Sequence, residues 1–138
     1  MILVIHKHTF SVLALLYPNL DYKNKFHIDH IFPRSLFDKR KLKKLGIIEE
    51  DIEFYKNNVD SLANLQIMEG HENQEKLDKL PNEWINNFFV DEQRKMDYLR
   101  KNYIPEEYLD INKFKIFLDK RTILMKNQYS GILLDNNS

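Results

Sequence analysis

The chain has 138 residues, with 21 basic and 21 acidic side chains, no cysteine and three glycines. This length predicts a single domain, and 43% hydrophobic with 30% charged residues excludes collagen-like, disordered and disulfide-scaffold proteins. The lack of cysteine excludes a zinc-thiolate site and a cysteine nucleophile. A net charge of zero, taken alone, argues against a polycation that binds nucleic acid nonspecifically.

The N-terminal segment mixes apolar and basic residues. No apolar stretch reaches the roughly 18 to 20 residues of a membrane span, and no signal peptide is visible, so the sequence predicts a cytoplasmic protein without membrane association. Four residues at helical spacing predict a helix with one buried face that ends at Pro18: Phe10, Leu13, Ala14 and Tyr17. Such an apolar beginning is also expected for the C-terminal part of a larger protein.

Two short strands are predicted, with a charged segment between them. The first covers residues 26–33, which are rich in β-branched and aromatic side chains and end at a proline, and the second covers residues 64–68. The segment between them, about residues 34–60, is a charged insert that is predicted to form two short helices, 38–45 and 49–57.

Helical patterns follow over residues 72–80, 91–103 and 112 to about 129. In the last helix, Asp110 or Asn112 is the predicted N-cap. One side of this helix is lined by Phe114, Phe117, Leu118, Arg121 and Met125. The predicted fold class is α+β and mostly helical, with a strand, strand, helix frame at about 26–80 and a helical tail at about 82–130.

Residues suited to metal or proton chemistry concentrate on this frame. They are Asp29 and His30 on the first strand, Asn64 at the start of the second, and His71, Asn73 and Lys76 at or in the following helix. Carboxylate and asparagine oxygens are ligands suited to Mg²⁺, and a neutral imidazole accepts a proton near neutral pH. The sequence therefore predicts a metal-assisted phosphodiester hydrolase.

Three separated blocks, HIDHIFPRS at 27–35, NLQ at 64–66 and NQEK at 73–76, resemble the signature of HNH endonucleases. These enzymes have the ββα-metal fold, also called the His-Me finger. The spacing of the last two blocks is also similar to the HNH domain of RNA-guided CRISPR effectors. Over nearly the whole chain, the sequence resembles the C-terminal nuclease domain of GmrSD-like restriction proteins, which follows a ParB-like nucleotide-hydrolysing domain.

The resemblance implies specific roles for four residues. His30 would be the general base that activates water, and Asp29 and Asn73 would hold Mg²⁺, with Mn²⁺ as an alternative. Asn64 would form hydrogen bonds across the loop between the strands and position His30. Asn73 has a plainer alternative as the N-cap of the predicted helix.

The resemblance also implies phosphate contacts from Arg34 and Lys76. His27 and His71 stay open between surface positions and extra metal ligands or phosphate contacts. A basic run is open between a solvated helix face and a contact to the nucleic-acid backbone: Lys39, Arg40, Lys41, Lys43 and Lys44.

As a whole, the resemblance implies a single HNH nuclease domain, a Mg²⁺-dependent DNA endonuclease of the restriction-modification or defence type. Its partners would be DNA and a ParB-like nucleotide-hydrolysing domain or subunit that is not part of this chain. One alternative is a noncatalytic nucleic-acid-binding or regulatory module that keeps the HNH fold. Another is a structural fragment whose apolar N-terminus packs on a missing domain.

The positions of Asp29 and His30 pose a geometric problem, because neighbouring residues on a regular strand point to opposite faces. For both to serve one site, the strand is expected to bend or bulge there.

The charges are segregated along the chain. Residues 23–46 carry eight basic and two acidic side chains, whereas residues 47–60 carry one basic and five acidic ones. Because the basic segment flanks the predicted site, the neutral total does not argue against DNA as a partner.

Overall fold

The computed structural model describes residues 9–18, 26–69 and 76–136. Its helices and strands confirm the predicted α+β, mostly helical class. In chain order they are α1 (Thr9–Ala14), β1 (Phe26–His30), α2 (Lys39–Lys44), α3 (Glu49–Asn58), β2 (Leu65–Glu69), α4 (Pro81–Phe88), α5 (Glu92–Lys101) and α6 (Phe114–Asn136). Single 3₁₀ turns lie at Arg34–Leu36, Leu62–Asn64, Glu106–Tyr108 and Ile111–Lys113.

The two predicted strands form an antiparallel pair. The register runs without interruption from Phe26 opposite Glu69 to His30 opposite Leu65. β1 is shorter than predicted because the chain bends directly after His30, where the Phe32 amide binds a side chain instead of continuing the ladder. This bend is where the candidate site lies.

The two helices predicted in the insert are confirmed as α2 and α3. The Asp38 carboxylate caps α2 by accepting a hydrogen bond from the Lys41 amide at 2.8 Å. Gly46 follows α2 with a φ of +93°, a conformation that glycine adopts without the steric cost of a side chain. The insert also contributes to the main core, since the rings of Phe37 and Tyr55 lie 4.9 Å and 5.1 Å from that of Phe114.

α6 carries the buried face that its sequence predicts. Its start differs, because a 3₁₀ turn precedes it and the helix begins at Phe114. Asp110 precedes this turn, but its carboxylate accepts a hydrogen bond from the Asn82 side chain at 2.6 Å and does not cap the turn. The five residues predicted for the buried face are all buried: Phe114, Phe117, Leu118, Arg121 and Met125.

The N-terminal helix does not bury all the residues that the sequence predicts. α1 ends at Ala14, and two successive turns carry the chain on to Tyr17. Leu13, Leu16 and Tyr17 are buried, whereas Phe10 is 38% exposed, so its predicted burial is wrong. The early end of the helix changes the spacing and turns Leu16 inward.

Residues 72–75 of the predicted helix over residues 72–80 lie outside the described residues, and Lys76 is helical. Residues 77–80 are not helical, so the prediction extends too far at its C-terminal end. The helix predicted over residues 91–103 is confirmed as the slightly shorter α5. In the described part of the chain, no helix combines the length and apolar character that a membrane crossing requires.

Tyr55 provides a test of the core at high pH. It is buried and donates a hydrogen bond to the Ile111 carbonyl at 2.8 Å, and burial, assisted by the charge of Asp51, raises its pKa to about 12. The unfolded chain loses this proton near pH 10, so the free energy of unfolding is expected to fall as the pH rises from about 10 to about 12. Urea unfolding across this range should show a shallower fall for Tyr55→Phe, and equal slopes for both proteins would contradict the prediction.

Candidate active site

Asn64 lies in the 3₁₀ turn before β2 and is fully buried. Its Oδ1 accepts a hydrogen bond from the Phe32 amide at 2.8 Å, and its Nδ2 donates to the Phe32 carbonyl at 3.1 Å and to the Val59 carbonyl at 2.8 Å. Its own carbonyl accepts from the Ile31 amide at 2.8 Å. One side chain therefore ties the end of β1 to the turn before β2.

His30 is the last residue of β1 and lies beside this tie. Its Nε2 is 2.8 Å from Oδ1 of Asp60, and its side chain is 20% exposed. Its carbonyl accepts a hydrogen bond from Nζ of Lys76 at 2.8 Å. The imidazole is thus held by a carboxylate, its backbone is fixed, and part of the ring faces solvent.

Asp60 is a functional candidate that the sequence reasoning missed. Besides His30, its Oδ1 binds Nε of Arg34 at 3.3 Å, and the Arg34 side chain is largely exposed. The signal in the sequence was an acidic residue at the end of the insert, four positions before Asn64. Nothing in the sequence pattern indicated that it would meet the imidazole.

The Asp29 carboxylate has polar partners different from that of the His30 imidazole. Its Oδ2 accepts hydrogen bonds from Nζ of Lys76 at 3.1 Å and from Nε2 of Gln66 at 3.3 Å. The Gln66 side chain is fixed in turn by the Tyr98 hydroxyl, which donates to its Oε1 at 2.6 Å. This network orients the carboxylate of Asp29 one residue before the end of β1.

Lys76 is buried, whereas the phosphate contact expected from the resemblance would be open to solvent. Its side chain is only 1% exposed, and its ammonium binds both the Asp29 carboxylate and the His30 carbonyl. Burial lowers the pKa of Lys76, and the neighbouring Asp29 opposes that shift. These contacts favour an internal role in which Lys76 joins the side chain of one site residue to the backbone of the next.

The expected bulge between Asp29 and His30 is not present in β1. Both residues stay in the regular ladder, opposite Gln66 and Leu65, so their side chains alternate across the sheet. The bend comes one residue later, at Ile31. The structure therefore links the Asp29 carboxylate to the His30 carbonyl through Lys76, and among the described residues no side chain binds both the carboxylate and the imidazole.

The metal-ligand prediction rests on Asp29 and Asn73. Asn73 and His71 lie outside the described residues, and among the described ones no three histidine, aspartate or glutamate side chains form a group that could hold a metal. Both hydrogen bonds described for the Asp29 side chain end on Oδ2. Because Mg²⁺ keeps several waters and needs only one or two carboxylates from a protein, an Asp and Asn pair fits it chemically.

The basic run on α2 is partly neutralised by the insert itself. Lys39 and Lys43 bind the two oxygens of Glu49 at 3.1 Å and 2.8 Å. Arg40 and Lys44 are exposed and form no ion pair with any described residue. The run therefore offers fewer unpaired cations than its sequence indicates.

A shallow groove of about 480 Å³ lies next to Arg34, which binds Asp60, and to Val59, the residue before Asp60. Arg34 and Lys56 both line it, together with Ser35 and Phe37. Lys41 also lies at this end of the insert, where its Nζ donates to the Ser35 carbonyl at 2.8 Å.

His27 is exposed on β1, where it lies opposite Met68 in the ladder. The structure does not bring it into contact with the His30 and Asp60 pair.

Arg121 holds the turn that contains Asn64 by donating hydrogen bonds to the backbone on both sides of it. Its fully buried guanidinium donates through Nη1 to the carbonyls of Ala63 at 2.9 Å and Leu65 at 2.5 Å, and through Nε to the Asn102 carbonyl at 3.2 Å. Burial lowers its pKa, and the titratable groups acting on it are tyrosines: Tyr17, Tyr98 and Tyr103. The sequence predicted its burial but not these contacts.

No protein-family model matches the chain, and a search of curated proteins found no match. The site is therefore interpreted from its own chemistry. It joins an oriented, partly exposed histidine to a carboxylate, and it places a second carboxylate on the adjacent strand position.

Proposed function

We propose that this protein is a metal-dependent DNA endonuclease of the HNH type, with a ββα-metal site in which His30 is the general base. The observation that carries the proposal is the His30 imidazole at the end of β1, held at 2.8 Å from Asp60 and partly open to solvent. Asn64 fixes the bend that follows His30, as expected for the middle residue of the motif. Its restriction or defence context and a ParB-like partner domain belong to the proposal through the sequence resemblance alone.

The chemistry suits hydrolysis of a phosphodiester. An imidazole that is neutral near physiological pH can take a proton from water as the oxygen attacks phosphorus. Asp29 and Asn73 would hold Mg²⁺, which when bound supplies positive charge to the phosphate and the departing 3′ oxygen. Lys76 fixes Asp29 and the His30 backbone, so both groups keep their positions during the reaction.

Exposed cations beside the site suit a nucleic-acid backbone. Arg34 lies next to Asp60, and it lines a groove together with Lys56. Arg40 and Lys44 extend this positive surface along α2. Phosphate groups attract such side chains through charge, whatever the base sequence.

Two observations favour the noncatalytic alternative, a nucleic-acid-binding or regulatory module: Asp29 and His30 point to opposite faces of the regular β1 ladder, and Asp29 has a cation beside it. The Lys76 ammonium lies 3.1 Å from Asp29, so the carboxylate already has a cation next to it. A module of this kind would keep the positive surface and the fold without using a metal. Binding and cleavage must therefore be measured separately.

The two functions are separated by one set of assays. Supercoiled plasmid DNA is incubated with the purified protein in the presence of Mg²⁺, Mn²⁺ or EDTA. We expect nicked or linear DNA with either metal and none with EDTA, because the leaving oxygen needs the positive charge of the metal. Salt-dependent binding in a gel-shift assay, without cleavage under any divalent metal, would support the module and reject the endonuclease.

A further inference from the structure

We infer that Asp60 is a positioning residue, which holds His30 in the tautomer with its hydrogen on Nε2 and leaves Nδ1 to accept the proton from water. The distance of 2.8 Å between Nε2 and Oδ1 of Asp60 carries this inference. The tautomer follows from this distance together with the chemistry of a carboxylate, and its catalytic consequence rests on the proposed function.

The direction of the hydrogen bond follows from the chemistry of the two groups. An ionised carboxylate can only accept hydrogen bonds, so a neutral His30 must donate from Nε2. In the neutral ring the other nitrogen, Nδ1, then carries the free electron pair. The nitrogen that faces away from Asp60 is therefore the basic one.

The proton balance of the step is simple. Water gives a proton to Nδ1 of His30 while its oxygen forms a bond to phosphorus and the bond from phosphorus to the 3′ oxygen breaks. The departing oxygen takes a proton from solvent. The ring becomes an imidazolium that still donates from Nε2 to Asp60.

Asn64 holds the backbone next to both members of the pair. Its Oδ1 binds the Phe32 amide two residues after His30, and its Nδ2 binds the Val59 carbonyl directly before Asp60. A single buried side chain thus sets the separation between the imidazole and the carboxylate. The two side chains are 20% and 33% exposed, so the contact holds the ring while leaving part of it open to solvent.

A competing explanation is that Asp60 serves only as the partner of Arg34, at 3.3 Å. NMR of isotopically labelled protein, without DNA or metal and at a pH where the ring is neutral, distinguishes the two through the nitrogen shifts of His30. We expect the hydrogen on Nε2 in the unaltered protein and in Arg34→Gln, but a mixture of tautomers in Asp60→Ala. A hydrogen on Nδ1 in the unaltered protein overturns the inference, even if Asp60→Ala does not fold.

The cleavage assay then tests the catalytic consequence. Asp60→Ala should cleave DNA about ten- to a hundredfold more slowly, which is part of what a general base usually contributes. Asp51→Ala is the matched control, because it removes a carboxylate that is 32% exposed and paired with Lys115 at 2.6 Å. Cleavage by Asp51→Ala should be unchanged.

The outcomes separate this inference from the proposed function. Unchanged tautomer and unchanged cleavage in a folded Asp60→Ala protein overturn the role of Asp60. If the unaltered protein shows the expected tautomer but cleaves no DNA with any metal, the endonuclease proposal fails while the assignment of the tautomer stands.

Discussion

His30→Ala is expected to lower the rate of metal-dependent DNA cleavage by about a hundred- to ten-thousandfold, the usual contribution of a general base. The folded state should survive, because the backbone contacts of this residue with Lys76 and Leu65 do not involve the imidazole. Nicking rates at saturating DNA, together with urea unfolding, measure the two effects. Equal cleavage by the variant and the unaltered protein would reject His30 as the base.

A matched control is available on the same strand. His27→Ala removes an exposed histidine that does not contact Asp60, so the cleavage rate at saturating DNA should be retained. If both histidine variants lose activity equally, the effect belongs to the strand as a whole and not to the base.

Arg121→Met is expected to lower the free energy of unfolding by about 2–4 kcal/mol. Removing the guanidinium leaves buried carbonyls without donors, and each such group costs about 1–3 kcal/mol. The loss is smaller than the sum, because the variant also removes the cost of burying a cation that has only tyrosines as titratable neighbours in the described structure. Urea unfolding at neutral pH gives the difference between the two proteins.

The neighbouring lysine provides the control for this change. Lys120→Met alters the adjacent residue of α6, which is exposed, and should change the free energy of unfolding by less than about 0.5 kcal/mol. A similar small change for Arg121→Met would show that the buried carbonyls find other partners.

Elements with local signals could be predicted from the sequence. Residues 38–45 begin at an aspartate and are followed by Gly46, and the structure places α2 there with Asp38 as its cap. The strands could be found from their composition, although the end of β1 depends on a distant asparagine. The buried face of α1 could not be assigned correctly, because the helix ends early at Ala14 and shifts the face that packs inward.

Part of the candidate site could likewise be predicted from the sequence, and part of it could not. The tie formed by Asn64 is a contact that the sequence pattern suggested, since a motif carries information on spacing. The pair of His30 and Asp60 was not visible, because the two residues are 30 positions apart and meet only after the insert folds. The burial of Lys76 was missed for a related reason: charge is read from the sequence, whereas exposure depends on packing.

The separation of the two strands along the chain also has a consequence for the order of folding. β1 and β2 are adjacent in space, but residues 31–64 lie between them. Closing a loop of this length costs conformational entropy before any hydrogen bond between the strands can form. We expect α2 and α3 to form first, because their contacts are local, and to bring the strand ends closer together. We therefore expect the His30 imidazole and the Asp60 carboxylate to meet late in folding. A molecule with an unfolded insert would then lack the contact that orients the base.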